Sequence, residues 1–181
     1  MKAVADKKKA NNIGEYIIYM YQMEDLIRAY QFNLKDIETY VIQHYPVSQL
    51  EKEDTAAWFA EMAERMQKEG LQEAGHLSST QQSVDQLALL HWNLLKVDST
   101  YFAIYQNAKP HVMELILASQ NNPPKHEIQT CINGIYGLLI ARLAGKDVKE
   151  EMLTATNAFG DVLSYLNRIY FIQENEQVRS N

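Results

Sequence analysis

The sequence predicts an all-α fold, a single-domain antiparallel helical bundle of six or seven helices, and three observations carry that prediction. Apolar residues recur at the helical 3.6-residue period almost from end to end. No stretch alternates with period two between turn signals, as a half-buried strand does. Helix-start signals such as Asn12, Asn33 and Ser48 recur at spacings that leave only short loops, which suits an up-and-down arrangement.

The elements follow in order. Residues 1–11, opening "MKAVADKKKA", read as a flexible polar arm. Asn12 with Glu15 has capping-box spacing, so a first helix is expected over about 13–31. Asn33 caps a shorter second helix that stops near Tyr45, because Pro46 disfavours a helical residue before it. Ser48 and Glu51 repeat the capping box and start a third helix, "AAWFAEMAERM" at its centre, which ends at about Gly70. The stretch "GLQEAGHLSS" mixes glycines with cap residues and reads as a loop.

A fourth helix is expected from about Ser79, carrying Val84, Leu87, Leu90 and Leu94 and continuing through "DSTYFAIYQNAK" until Pro110 bends or restarts it. "NNPP" closes that arm as a turn, with Pro123 or Pro124 in the first turn of a fifth helix and Gly145 just past its end. Asp147 and Glu150 cap a last helix to about Ile172, and 173–181 read as a frayed polar tail.

Composition bounds the function classes. At 181 residues the chain is large enough for one well-buried core. Its net charge is -6 and its only basic run is "KKK" in the N-terminal arm, so it lacks the electrostatic footprint of a nucleic-acid binder. No apolar stretch reaches signal-peptide or membrane-spanning length, and the single Cys131 forms no intrachain disulfide. Together these predict a cytoplasmic protein that contacts neither membrane nor nucleic acid.

Three features of the first helix and its surroundings are candidates for chemistry. The segment "YMYQMEDLIRAY", residues 19–30, is apolar around much of its circumference and is expected to be central. Within it, Glu24 and Asp25 lie four and three residues before Arg28, the spacings at which side chains pair on a helix. On the fourth helix, His91 and Asp98 fall on a stripe otherwise given to aliphatics, and His76 in the preceding loop is placed to complete the group. Two readings stand. Glu24, Asp25, Arg28, His76, His91 and Asp98 form either an internally paired structural network or a buried polar site that binds a ligand.

Other chemistry finds less support. "EAGH", residues 73–76, is the only Glu-x-x-His spacing, where a ferritin-like centre needs two. There is no His-Glu-x-x-His helix, no Cys-x-x-Cys pair and no EF-hand loop, so neither a metal nor another cofactor is assigned. Cys131 sits among apolar neighbours and reads as an inert small hydrophobe. Gly134 and Gly137, inside the fifth helix, call for a closely crossing neighbour, with Gly160 of the last helix as the matching flat spot. Eleven tyrosines are many, and Tyr101, Tyr105, Tyr165 and Tyr170 recur at helical spacings that suit core and interface positions.

The segments "EYIIYMYQMEDLIRAY", "GHL" followed by "LALLHWNLL", "YQNAKPHVMEL", and "CINGIYGLLIARL" with "LNRIYF" cover nearly the whole chain. In them the sequence resembles an uncharacterised family of small bacterial proteins from the Bacteroidetes, a domain of unknown function of about this length. The resemblance implies an all-helical soluble protein and assigns no residue a role. The expected function is association, as a homodimer with another protein or a small ligand as partner. The alternative is a small enzyme or metal-binding bundle built on the polar group.

Overall fold

The computed structural model describes residues 1–119 and 123–180, and the side chains up to Glu176 apart from Asn175. Among the described residues every regular element is helical: eight α-helices and one 3-10 turn. They are α1 (Lys2–Asn11), α2 (Ile13–Ala29), α3 (Leu34–Tyr40), the 3-10 turn Ile42–His44, α4 (Gln49–Lys68), α5 (Ser78–Val97), α6 (Ser99–Ala118), α7 (Glu127–Leu143) and α8 (Glu150–Ser180). Among the described residues no helix is long and apolar enough to cross a membrane. The chain divides into two compact units, Met1–Ser83 and Val84–Asn181, with the boundary inside α5.

In the first unit α2 is buried on several sides, with Ile13, Ile17, Met20, Tyr21, Met23, Glu24 and Ile27 all buried. Met20, Met23 and Ile27 join Ile37 of α3 and Phe59, Met62 and Met66 of α4 in one apolar cluster. The caps read from sequence are present: Asn12 accepts from the Glu15 amide, Asn33 from that of Asp36, and Ser48 and Glu51 form a full capping box. The second helix is shorter than expected, ending at Tyr40 and giving way to the 3-10 turn before Pro46.

The expected flexible arm is instead α1. Its ten residues are mostly strong helix formers. Lys2 pairs with Asp6, Lys8 reaches Glu15 at 2.5 Å, and Ala5 is its one buried residue. A helix held by one alanine and by ion pairs shows almost no apolar period.

In the second unit α6, α7 and α8 pack on one another, burying Tyr101, Tyr105, Val112, Ile128, Cys131, Ile132, Phe159, Val162 and Leu166. Several expectations are corrected. The fourth helix does not run on to Pro110. It stops at Val97, where Asp98 turns extended (φ -122°, ψ 102°) and caps α6 by accepting from the Tyr101 amide at 3.0 Å. Pro110 neither ends nor restarts α6, which continues to Ala118. Pro110 is exposed, as is Gln106 one turn before it, whose carbonyl a proline leaves without a donor.

Asn121 and Asn122 of the expected "NNPP" turn lie outside the described residues. The two prolines precede α7 rather than opening it. Its N-cap is His126, which accepts from the Gln129 amide through Nδ1 at 3.1 Å. α8 begins at Glu150, later than an Asp147 cap requires, and extends through the expected tail to Ser180. The tail has no glycine or proline to stop it, and Tyr170 donates to Glu174 at 2.9 Å across one turn. Gly160 is not the flat spot opposite Gly134. A Cβ on Gly134 meets the Phe159 ring at 2.7 Å, while Gly137 and Gly160 have open space.

Candidate functional site

Two polar residues of α2, Glu24 and Arg28, engage the loop between α4 and α5. A carboxylate taken out of water needs donors to replace its hydration, and Glu24, wholly buried, finds three. His76 Nδ1 lies 2.7 Å from Oε2, the Leu77 amide donates to Oε1 at 3.3 Å, and the Thr80 hydroxyl donates to the same oxygen at 3.0 Å. The contact fixes the imidazole with Nδ1–H toward Glu24. One ring face is stacked on Tyr21, centroids 3.3 Å apart and planes 6° from parallel.

Arg28 holds the other end of the loop. Its Nη1 pairs with Asp25 at 2.5 Å, its Nε donates to the Leu71 carbonyl at 3.0 Å, and its Nη2 donates to the Gly75 carbonyl. The guanidinium fork spans two carbonyls four residues apart in sequence, which a lysine ammonium does not reproduce. Gly75 has φ +92°, a left-handed conformation that side chains rarely adopt, and a Cβ there would lie 2.9 Å from Leu71 Cδ2. At the end of α4, its C-cap Glu69 accepts from the amide and hydroxyl of Ser78, and Arg65 donates to Ser79. These contacts fix where α5 starts.

The structure therefore brings Glu24, Asp25, Arg28 and His76 together. Arg28 pairs with Asp25, while the recorded partners of Glu24 come from the loop and α5. His91 and Asp98 belong to the second unit and have partners there. His91, inaccessible to solvent, places Nδ1 2.6 Å from the Tyr101 hydroxyl, and its Nε2 is buried without a hydrogen-bond partner. The Tyr105 ring meets it edge-on at 4.6 Å. Burial lowers the His91 pKa to about 4, so the ring is neutral near pH 7. Burial also pushes the phenols of Tyr101 and Tyr105 upward and the Cys131 thiol up to about 12, which keeps that thiol protonated and unreactive.

Asp98 accepts from the Tyr101 amide and, at 2.7 Å, from the Tyr165 hydroxyl, and these bonds lower its pKa. Thr80 and Glu69 were not singled out by the sequence reading, and the tyrosines only as core or interface positions. A hydroxyl in the first turn after a loop, or a tyrosine on a helix, has many equivalent roles until the chain is folded.

Chemically, the first group can orient a histidine. A carboxylate on Nδ1 sets the tautomer and leaves Nε2 as the remaining ring nitrogen, on a side chain that is 24% exposed. Among the described residues no three His, Cys, Asp or Glu side chains converge so as to hold a metal ion. Neither the curated proteins nor the solved structures give a match to this chain. A family model does, across residues 2–177, and its description is a domain of unknown function. The chain belongs to that family, DUF4924.

Proposed function

We infer that the protein works by association, as a cytoplasmic homodimer of single-domain chains whose functional partner is another protein or a small ligand. The observation that carries this is the distribution of exposed apolar side chains. Of fifteen large ones on the described surface, eleven lie in the second unit, among them Leu117 at 72%, Leu143 at 69% and Met113 at 44%. Scattered exposed apolar residues are ordinary, but several gathered on neighbouring helices mark an interaction surface. The polar group of α2 supports the same reading, because internal partners engage it. Light scattering over a hundredfold range of protein concentration tests it. A dimer that dissociates on dilution is expected, and a monomer at every concentration contradicts the reading.

One observation favours a second reading, an enzyme or metal-binding bundle: a buried carboxylate orients a partly exposed histidine, as it does in many catalytic and metal sites. Its test is a thermal-shift panel of divalent metals and metabolites on wild type and His76→Asn. Stabilisation by a panel member that the variant loses supports the enzyme reading; no stabilisation, or stabilisation that the variant keeps, leaves association as the function.

A further inference from the structure

α7 is buried from Ile128 to Ile132 and then emerges, with Ile140 42% and Leu143 69% exposed. A solvated helix face is ordinarily charged. Here no charged residue stands between Glu127 and Arg142, and the exposed side carries Asn133, Gly137 and Ile140, flanked by the half-buried Ala141. A glycine inside a helix is unfavourable relative to alanine and calls for a reason. Gly134 has one within the chain, since the Phe159 ring occupies the space of a side chain. Gly137 has none: nothing lies within 4 Å of a Cβ built there. It borders an open groove whose floor includes Leu115, Leu138, Met152 and Phe159.

Resting on the association reading, we propose that a second copy of this chain docks on this face, α7 crossing α7 at Gly137 about a two-fold axis. Close crossing of two helices needs small residues on both, and a two-fold axis supplies Gly137 twice. Each chain carries a net charge of -6, so two copies repel unless they meet where charge is absent, as it is at the centre of this face. Beyond that centre the charges are complementary. The groove is lined by Glu114, Glu150 and Glu151 against one lysine, Lys149, while Arg142 at the end of α7 and Lys146 just past it are basic and exposed. Of the two senses in which α7 can cross α7, the proposed one sets each basic end toward the acidic groove of the other copy. Leu115, Ile140, Leu143 and Met152 add the apolar area that holds the pair.

The test uses the full chain. Gly137→Leu grows a bulky side chain from a Cβ position with open space around it, and leucine favours helix over glycine, so the variant keeps its circular dichroism and, at concentrations where both are monomeric, melts no lower than wild type. By sedimentation equilibrium its dimer dissociation constant rises at least tenfold. Arg142→Glu weakens the dimer several-fold, and adding Glu150→Arg restores it. Should Gly137→Leu fail to fold, Gly137→Cys serves: under oxidation it links two copies, and Cys131, fully buried, does not compete. A folded Gly137→Leu variant that dimerises as wild type does, or a Gly137→Cys dimer that does not cross-link, overturns the proposal and leaves the association reading standing. A wild-type monomer at every concentration removes both. A wild-type monomer whose Gly137 face binds a different protein shows that the occupant is not a second copy.

Discussion

Glu24 illustrates how one buried carboxylate organises a loop. It receives three donors from residues more than fifty positions away, so removing it strands all three at once. Glu24→Ala is expected to cost about 3 kcal/mol in urea denaturation, the scale for leaving buried partners unsatisfied. Arg28→Lys keeps the charge but loses the fork across Leu71 and Gly75, and a loss of about 1–2 kcal/mol is expected. His91 makes a prediction in pH. Its folded pKa of about 4 lies below the unfolded value of 6.5, so between those values the unfolded chain binds more protons. Its contribution is full above pH 6.5 and is lost as pH falls toward 4, by about 2–3 kcal/mol. Urea midpoints of wild type and His91→Gln, compared at pH 7 and pH 4.5, isolate it: the wild type is expected to lose more.

Among the elements, α6 and α7 start elsewhere than their sequence signals suggest, and each departure has a local cause. Asp98 sat on an apparent core stripe, yet an aspartate is also a strong N-cap, and its backbone turns out of the helix to cap α6. Pro110 looked like a break, yet an exposed proline removes only one hydrogen bond from an otherwise continuous helix. Pro110→Ala is expected to stabilise the protein by about 1–2 kcal/mol, the interior-proline penalty less the entropy the alanine chain regains on unfolding. α7 begins on a cap outside the usual set. His126 accepts from the Gln129 amide while its Nε2 faces Asp85 at 3.3 Å, so the ring is held as the Nε2–H tautomer. His126→Ala is expected to cost about 1 kcal/mol by the same measurement, with His126→Asn recovering most of it.

For the molecule as a whole, the charge of -6 and the apolar surface of the second unit decide what kind of partner fits. An acidic surface repels phosphate backbones, so no anisotropy change is expected when the protein is titrated into labelled duplex DNA at low salt. The fold class was legible because helical periodicity is a local property that repeats wherever a helix has one buried side. The caps at Asn12, Asn33 and Ser48 were legible for the same reason, since a cap and its amide lie within one turn. α1 was not, because a single buried alanine leaves no period to read. Of the candidate site, the Asp25–Arg28 pair followed from spacing and His76 was grouped with Glu24, while the Leu77 and Thr80 contacts of Glu24 and the Tyr101 contact of His91 did not follow.

By itself, then, the sequence determined an all-helical chain, most of its helix starts, a central α2 and the acidic charge that constrains its partners. Only the tertiary structure decided that Glu24 and Arg28 clamp the loop before α5, that His91 meets Tyr101, and that Gly134 is filled from within the chain while Gly137 is open. The physical reason is one of range. Helix propensity and capping act over a few residues and are written in order along the chain, whereas the partner of a buried charge is whichever group the folded backbone delivers to it.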